Sequence, residues 1–300
     1  MRVVVLMSTY NGERYLREQI ESILNQIGEF DLSLYVRDDG SKDGTIEILR
    51  EYQNEKKLKW YTGDNLGPAK SFINLLQNCG AYDYYAFADQ DDVWEKDKIQ
   101  RGINVLEEQN GPALYCSNAE LVDLQLISLG RNVYKTMPRT DFETVISAGG
   151  LLGCTMVFND ELKRRIKRDR YPVMILHDFY MAALCVSIGG VILYDQEATM
   201  KYRQHEDNVV GVSYGKIGTL MGRIRDIFYR NNVSIAEQAR DILCIYGNEI
   251  NSERGQWLDV VSHYKDGFVN RLRFASSKKM RYINKNMSMK IRLSILMGNR

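Results

Sequence analysis

YDYYAFADQDD, residues 82–92, runs from apolar and aromatic side chains straight into three carboxylates, Asp89, Asp91 and Asp92. Its first half reads as a buried strand and its acids as the loop at the strand's carboxyl end. The same grammar recurs upstream. RVVVLMSTY (2–10) is a buried strand entering a polar loop, and LSLYVRDDGS (32–41) is a second strand ending on carboxylates. KLKWYTG (57–63) is a short third. Helical patterns separate them. After the first strand Tyr15, Ile20, Ile23 and Leu24 are apolar and Glu13, Arg17, Glu18 and Glu21 polar, then come SKDGTIEILREYQ (41–53) and PAKSFINLLQNC (68–79). Strands alternating with helices predict an α/β fold, a mostly parallel sheet with helices on both faces. In such sheets ligands bind beyond the carboxyl ends of the strands, so STYNG (8–12), RDDGS (37–41) and ADQDD (88–92) are expected to converge on one edge.

The five cysteines, Cys79, Cys116, Cys154, Cys185 and Cys244, are scattered and form no CxxC pair, which argues against a disulfide framework and for a reducing compartment. The apolar stretch in MRVVVLMSTYNG is too short for a signal peptide. No run approaches the roughly 20 apolar residues that span a bilayer. The expected location is cytoplasmic. GGLLGCTMVF (149–158) lacks GxGxxG, and no Walker GK[ST] occurs, which argues against a dinucleotide dehydrogenase or a P-loop ATPase. Its glycines let the backbone approach a ligand or make a tight bend into the strand that follows.

Net charge is +1, but it is unevenly spread. Residues 215–300 hold 16 Lys/Arg against 7 Asp/Glu, leaving 24 against 32 in the rest of the chain, and nine basic and no acidic residues follow Asp266. From about residue 215 the pattern is helical without strands. In KIGTLMGRIRDIF (216–228), Ile217, Leu220, Met221, Ile224 and Phe228 share one face and Arg223 and Arg225 lie elsewhere. Two regions are therefore expected, 1–214 and a basic helical 215–300. The second would meet an anionic membrane surface or a second subunit. No nucleic-acid-binding motif accompanies the charge.

Three crowded carboxylates need a counter-charge. Hard oxygen ligands suit Mg²⁺ or Mn²⁺, and Mg²⁺ commonly takes one or two carboxylates plus substrate phosphates. The alternative is a solvated acidic turn capping a helix that starts around Val93–Trp94.

STYNG, DDGSKDGT (38–45) and FADQDDVW (87–94) resemble the successive signatures of family 2 glycosyltransferases, which have the Rossmann-like GT-A fold; the resemblance covers roughly residues 1–210. It implies an inverting transferase using a nucleoside diphosphate sugar. Thr9, Tyr10, Asn11 and Asp39 would hold base and ribose. A carboxylate such as Asp39 can accept the imide N–H of uracil or thymine, which cytosine lacks. Asp89 would contact ribose and Asp91 the metal, with Asp92 assisting. The family takes its general base from a late ED or DD pair, matched here by His177–Asp178 in ILHDFYMAAL (175–184), with Asp178 as base and His177 in place of the usual acid. Alternatively, Asp178 caps the helix that follows. KYRQHEDNVVG (201–211) resembles a segment of rhamnosyltransferase-like members, with His205 as a metal ligand and Arg203 facing the leaving diphosphate. Lys70, in DNLGPAKSF (64–72), is either a phosphate ligand or an exposed helix residue.

The implied donor is dTDP-rhamnose and the implied acceptor a saccharide or lipid-linked saccharide of a bacterial surface polysaccharide, handled at the inner face of the plasma membrane. A UDP-hexose donor or a non-catalytic binding and assembly subunit is the alternative. A nucleotidyltransferase would show a glycine-rich loop after the first strand, and STYNGERYL does not.

Overall fold

The computed structural model describes residues 1–205, 233–279 and 285–298. The cut expected after residue 214, the Leu220–Ile224–Phe228 stripe and the end of KYRQHEDNVVG lie outside the described residues. Contacts sort the rest into two compact units. The first holds Met1–Lys135, Leu152–Tyr171 and the chain from Leu193 to His205; the second holds Thr136–Leu151, Pro172–Ile192 and the helices from Ile235 onward.

The first unit opens with β1 (Arg2–Thr9), α1 (Leu16–Leu24), β2 (Asp31–Asp38), α2 (Thr45–Asn54), β3 (Lys59–Thr62), α3 (Pro68–Asn78) and β4 (Tyr84–Ala88). Strands β3, β2, β1 and β4 lie side by side in that order, all parallel. Successive strand residues point to opposite faces, so the complete burial of Val3 through Met7 means that both faces of β1 are covered. The strands end level: Thr9 stands beside Asp38 and Met7 beside Ala88, which brings the three polar loops to one edge.

Beyond β4 the sheet continues antiparallel, which the sequence pattern did not reveal. The added elements are β5 (Val93–Trp94), α4 (Lys98–Leu106), β6 (Ala113–Val122), β7 (Ser128–Asn132), β8 (Val157–Asn159), the short α6 (Asp160–Lys163) and β9 (Val191–Arg203). β8 pairs with both β4 and β6. One correction matters for the site. Val93 and Trp94 do not begin a helix; they form β5, paired antiparallel with Lys201 and Met200 of β9, and the helix starts at Lys98.

The second unit is helical: α5 (Phe142–Ala148), α7 (His177–Ser187), α8 (Ile235–Tyr246), α9 (Ser252–Ser262), α10 (Phe268–Ser276) and α11 (Lys285–Leu296). Every residue of α7 is buried, as expected of a helix apolar on all sides. Gly149 ends α5 at φ +60°, where a Cβ would come within 2.9 Å of the Phe179 ring, so this glycine makes a tight bend. α8 begins with a reciprocal capping box between Ser234 and Glu237. From it Gln238 accepts the Ile175 amide (3.0 Å) and Asp241 the Val173 amide (3.2 Å), fixing the approach to α7.

Candidate active site

The first two motifs hold each other. Asp38 is fully buried and accepts from the amides of Gly40 (3.1 Å) and Ser41 (3.0 Å) and from the hydroxyls of Thr62 (3.0 Å) and Thr9 (3.3 Å). Asn11 takes the left-handed conformation, φ +49°, which a short polar side chain tolerates. Its amide donates to Ser41 Oγ and its Oδ1 accepts the Lys42 amide, each at 2.9 Å. The Gly12 amide donates to Thr45 Oγ1 at 2.8 Å. Tyr10, with its ring exposed, exchanges two backbone hydrogen bonds with the Gln90 carboxamide, at 2.9 and 3.1 Å, tying this edge to the acidic loop.

Asp39 is buried, and its carboxylate accepts the amides of Leu66 and Gly67, each at 2.9 Å, and the guanidinium of Arg37. It thus fixes the DNLG turn that leads into α3. Lys70, on the first turn of that helix, is exposed.

The β5–β9 pairing explains why a motif near residue 90 meets one near 204. Extending that antiparallel register sets Asp92 opposite Tyr202 and Asp91 opposite Arg203, and brings His205 up to the same loop. The Arg203 amide donates to Asp92 Oδ1 (3.2 Å), and His205 Nε2 lies 2.7 Å from Asp91 Oδ2. Arg203 is a correction to the sequence reading: it is 2% exposed, and its guanidinium donates to the carbonyls of Asp91 (2.8 Å) and Leu124 (2.6 Å) and to Glu18 at 2.5 Å. A side chain so engaged buttresses the acidic loop, with its Nε and both terminal nitrogens already donating within the protein. Tyr15 completes the support, its ring stacked on His205 (centroids 5.5 Å, interplanar angle 26°) and lying 4.5 Å from the Arg203 guanidinium carbon.

Asp89 and Asp92 each bring a carboxylate oxygen, and Cys154 its sulfur, within 4.8 Å of one another. Asp92 is fully buried, and burial followed by the charges of Asp91 and Asp89 pushes it well above the usual carboxylate range. Among the described residues its Oδ2 accepts no nitrogen or oxygen donor. Lys98 is also fully buried, its amine 4.7 Å from the Trp94 ring centroid and pulled down to about 8 by burial.

This donor set fits a hard divalent cation. Asp89 and Asp92 bring the grouped carboxylate oxygens, while Asp91 and His205, bonded to each other at 2.7 Å, stand outside that group. Cys154 is the poorer ligand, because burial and the neighbouring carboxylates push its thiol well above its usual range and keep it protonated.

His177 and Asp178 open α7 in the second unit, on its first turn. Asp178 Oδ1 accepts the Phe179 amide at 2.6 Å, and both residues are buried. Burial lowers His177 to about 3, so the ring is neutral. Tyr15, Gln90, Lys98 and Cys154 were not singled out from the sequence. Gln90, Tyr15 and Cys154 stand in stretches read above for other reasons, and all four come to the site through packing.

A parallel sheet whose level strand ends gather three polar loops, with an acid-rich loop after β4, is the architecture of GT-A glycosyltransferases, and the family model for glycosyl transferase family 2 matches residues 4–167, more than half of the chain. The chain belongs to that family. It is 32% identical over 248 residues to the dTDP-rhamnosyl transferase RfbG of Shigella flexneri, covering 76% of this chain and 82% of that one. Abequosyltransferase RfbV of Salmonella typhimurium is 26% identical over 74% of this chain and 60% of its own length. Among solved structures, S. aureus TarS 1-349 in complex with UDP superposes with a TM-score of 0.54 at 17% identity, covering 100% of this chain and 89% of that one. The mannosyltransferase PcManGT from Pyrobaculum calidifontis, in complex with GDP-Man and Mn²⁺, gives 0.50 at 14% identity, with 99% and 86% covered.

Proposed function

We propose that this chain is an inverting rhamnosyltransferase, moving L-rhamnose from dTDP-rhamnose to a saccharide or lipid-linked saccharide of a bacterial surface polysaccharide. The observation that carries the reaction class is the Asp91–His205 pair held against the nucleotide edge by β5 and β9. The donor sugar is carried by the likeness to a dTDP-rhamnosyl transferase at 32% identity. Thymine and uracil share the imide edge that Asp39 would meet, so a UDP-hexose is the alternative donor.

In this reading Thr9, Tyr10, Asn11 and Asp39 line the base and ribose side, and Asp89 meets the ribose. Asp91 and His205, with Asp92 behind them, would hold Mg²⁺ or Mn²⁺, which when bound neutralises the charge of the diphosphate. The Asp178 carboxylate takes the proton of the acceptor hydroxyl. The acceptor's hydroxyl oxygen, so deprotonated, then bonds to the anomeric carbon from the face opposite the nucleotide, as the bond from that carbon to the diphosphate oxygen breaks. Arg203, Glu18 and Tyr15 position the acidic loop and His205. The enzyme would work at the inner face of the plasma membrane, its basic C-terminal region held by anionic lipid.

The test is Asp178→Asn, assayed by dTDP-rhamnose binding and by turnover with a cell-envelope acceptor extract. Donor affinity is expected within about threefold of wild type while turnover falls by about 10²–10⁴. Retained turnover would remove Asp178 as base.

A further inference from the structure

Large apolar side chains left exposed are concentrated at one end of the chain. Of thirteen among the described residues, six are Phe268, Val269, Leu272, Met289, Leu293 and Met297, on or just after α10 and α11. In α11 the exposed Met289, Leu293 and Met297 recur every four residues and so share a face. Ile291 and Ile295, at 6% and 0% exposed, occupy the opposite face. The helix is thus apolar on both sides, one packed inward and one left to the outside. α10 repeats the arrangement, burying Phe274 against Trp257 and Tyr264 while Phe268, Val269 and Leu272 stay exposed. Arg292 ties the two helices by donating to the carbonyls of Ala275 and Ser277.

We infer that the outer faces of α10 and α11 form the surface by which the protein lies on an anionic bilayer, with Met289, Leu293, Met297, Phe268, Val269 and Leu272 entering the headgroup boundary. The inference rests on the peripheral location proposed above and names the residues responsible. Charge selects the occupant. Nine basic and no acidic residues follow Asp266, and exposed Arg273 and Lys290 stand beside the stripes. A second copy related by a two-fold axis would meet this patch with the same patch, setting like charges face to face. Nucleic acid would satisfy the charge but has no counterpart for six large apolar side chains. An apolar face flanked by Lys and Arg matches an interfacial helix, and α11, at 12 residues, is too short to span.

The full-length protein should be sedimented with vesicles of equimolar phosphatidylcholine and phosphatidylglycerol, and with phosphatidylcholine alone. The comparison protein carries Met289→Gln, Leu293→Gln and Met297→Gln together, exposed positions whose change leaves Ile291 and Ile295 in place. Wild type is expected to partition onto the anionic vesicles, and the triple variant about tenfold less, with an unchanged dTDP-induced thermal shift. Equal partition of wild type and variant overturns the patch while leaving the peripheral location intact. Failure of wild type to bind either vesicle overturns the location itself. Equal wild-type binding to both vesicles overturns the anionic surface. A wild-type dimer that the triple variant converts to monomer assigns the face to a second copy instead.

Discussion

At the scale of single residues, the structure shows which of the motif side chains are spent on holding neighbouring loops. Asp38, Thr45, Asn11 and Arg203 belong to sequence motifs, yet their polar atoms bond neighbouring loops. The residue types were legible because strand-end carboxylates stand out against apolar runs. The division of labour was not, because it depends on which partner each group finds in space. Arg203 illustrates this: as a sequence it is a cation beside a metal-ligand candidate, and only the β5–β9 pairing turns it toward carbonyl oxygens. Cys154 and Lys98 carried no spacing signal at all. His177 yields a prediction at this scale. The native ring titrates near 3 and an unfolded histidine near 6.5, so below pH 6.5 the unfolded chain binds a proton that the native chain refuses. The residue therefore leaves stability untouched above pH 6.5 and lowers it as pH falls, by about 2 kcal/mol at pH 5. Urea titrations at pH 7 and pH 5 should show a smaller acid loss in His177→Gln, and identical losses would contradict the assignment.

At the scale of elements, three neighbouring parallel strands with level ends bring the polar loops to one edge, and this was readable from hydrophobic period and turn chemistry. The antiparallel half was not read because β5 has two residues and β8 three, too short to show a period, while β6 is buried along nearly its whole length and so shows no alternation. α7 shows how the helical region bears on catalysis in the proposed reading. Its whole length is buried among helices, with Tyr180 and Tyr246 hydroxyls 3.4 Å apart, so α8 helps to fix the helix that opens with Asp178. The loop clasp can be tested through Thr45→Val, which keeps the shape and removes the acceptor for the Gly12 amide and the donor to Asp43. The loss of stability should be about 1–3 kcal/mol, with weaker dTDP binding, since the same clasp shapes the STYNG loop. An unchanged melting temperature and affinity would show that the clasp is dispensable.

For the whole molecule, two units of different character make one chain: a sheet that gathers carboxylates at its edge, and helices ending in a basic, apolar-faced pair. Membership of glycosyl transferase family 2 accounts for the first. The second follows from charge and exposure, with nine cations after Asp266 and six large apolar side chains outside the packed faces. The central claim is a metal-supported dTDP-sugar site built on Asp91 and His205. Its most direct test is the thermal shift of wild type and Asp91→Asn with dTDP, with and without Mn²⁺. Ligand at about 100 times its dissociation constant adds roughly 2.7 kcal/mol of stability, enough to raise the melting temperature visibly. The account predicts a shift in wild type that requires Mn²⁺ and is lost in Asp91→Asn. A shift of equal size without metal, or one that survives Asp91→Asn, would contradict it.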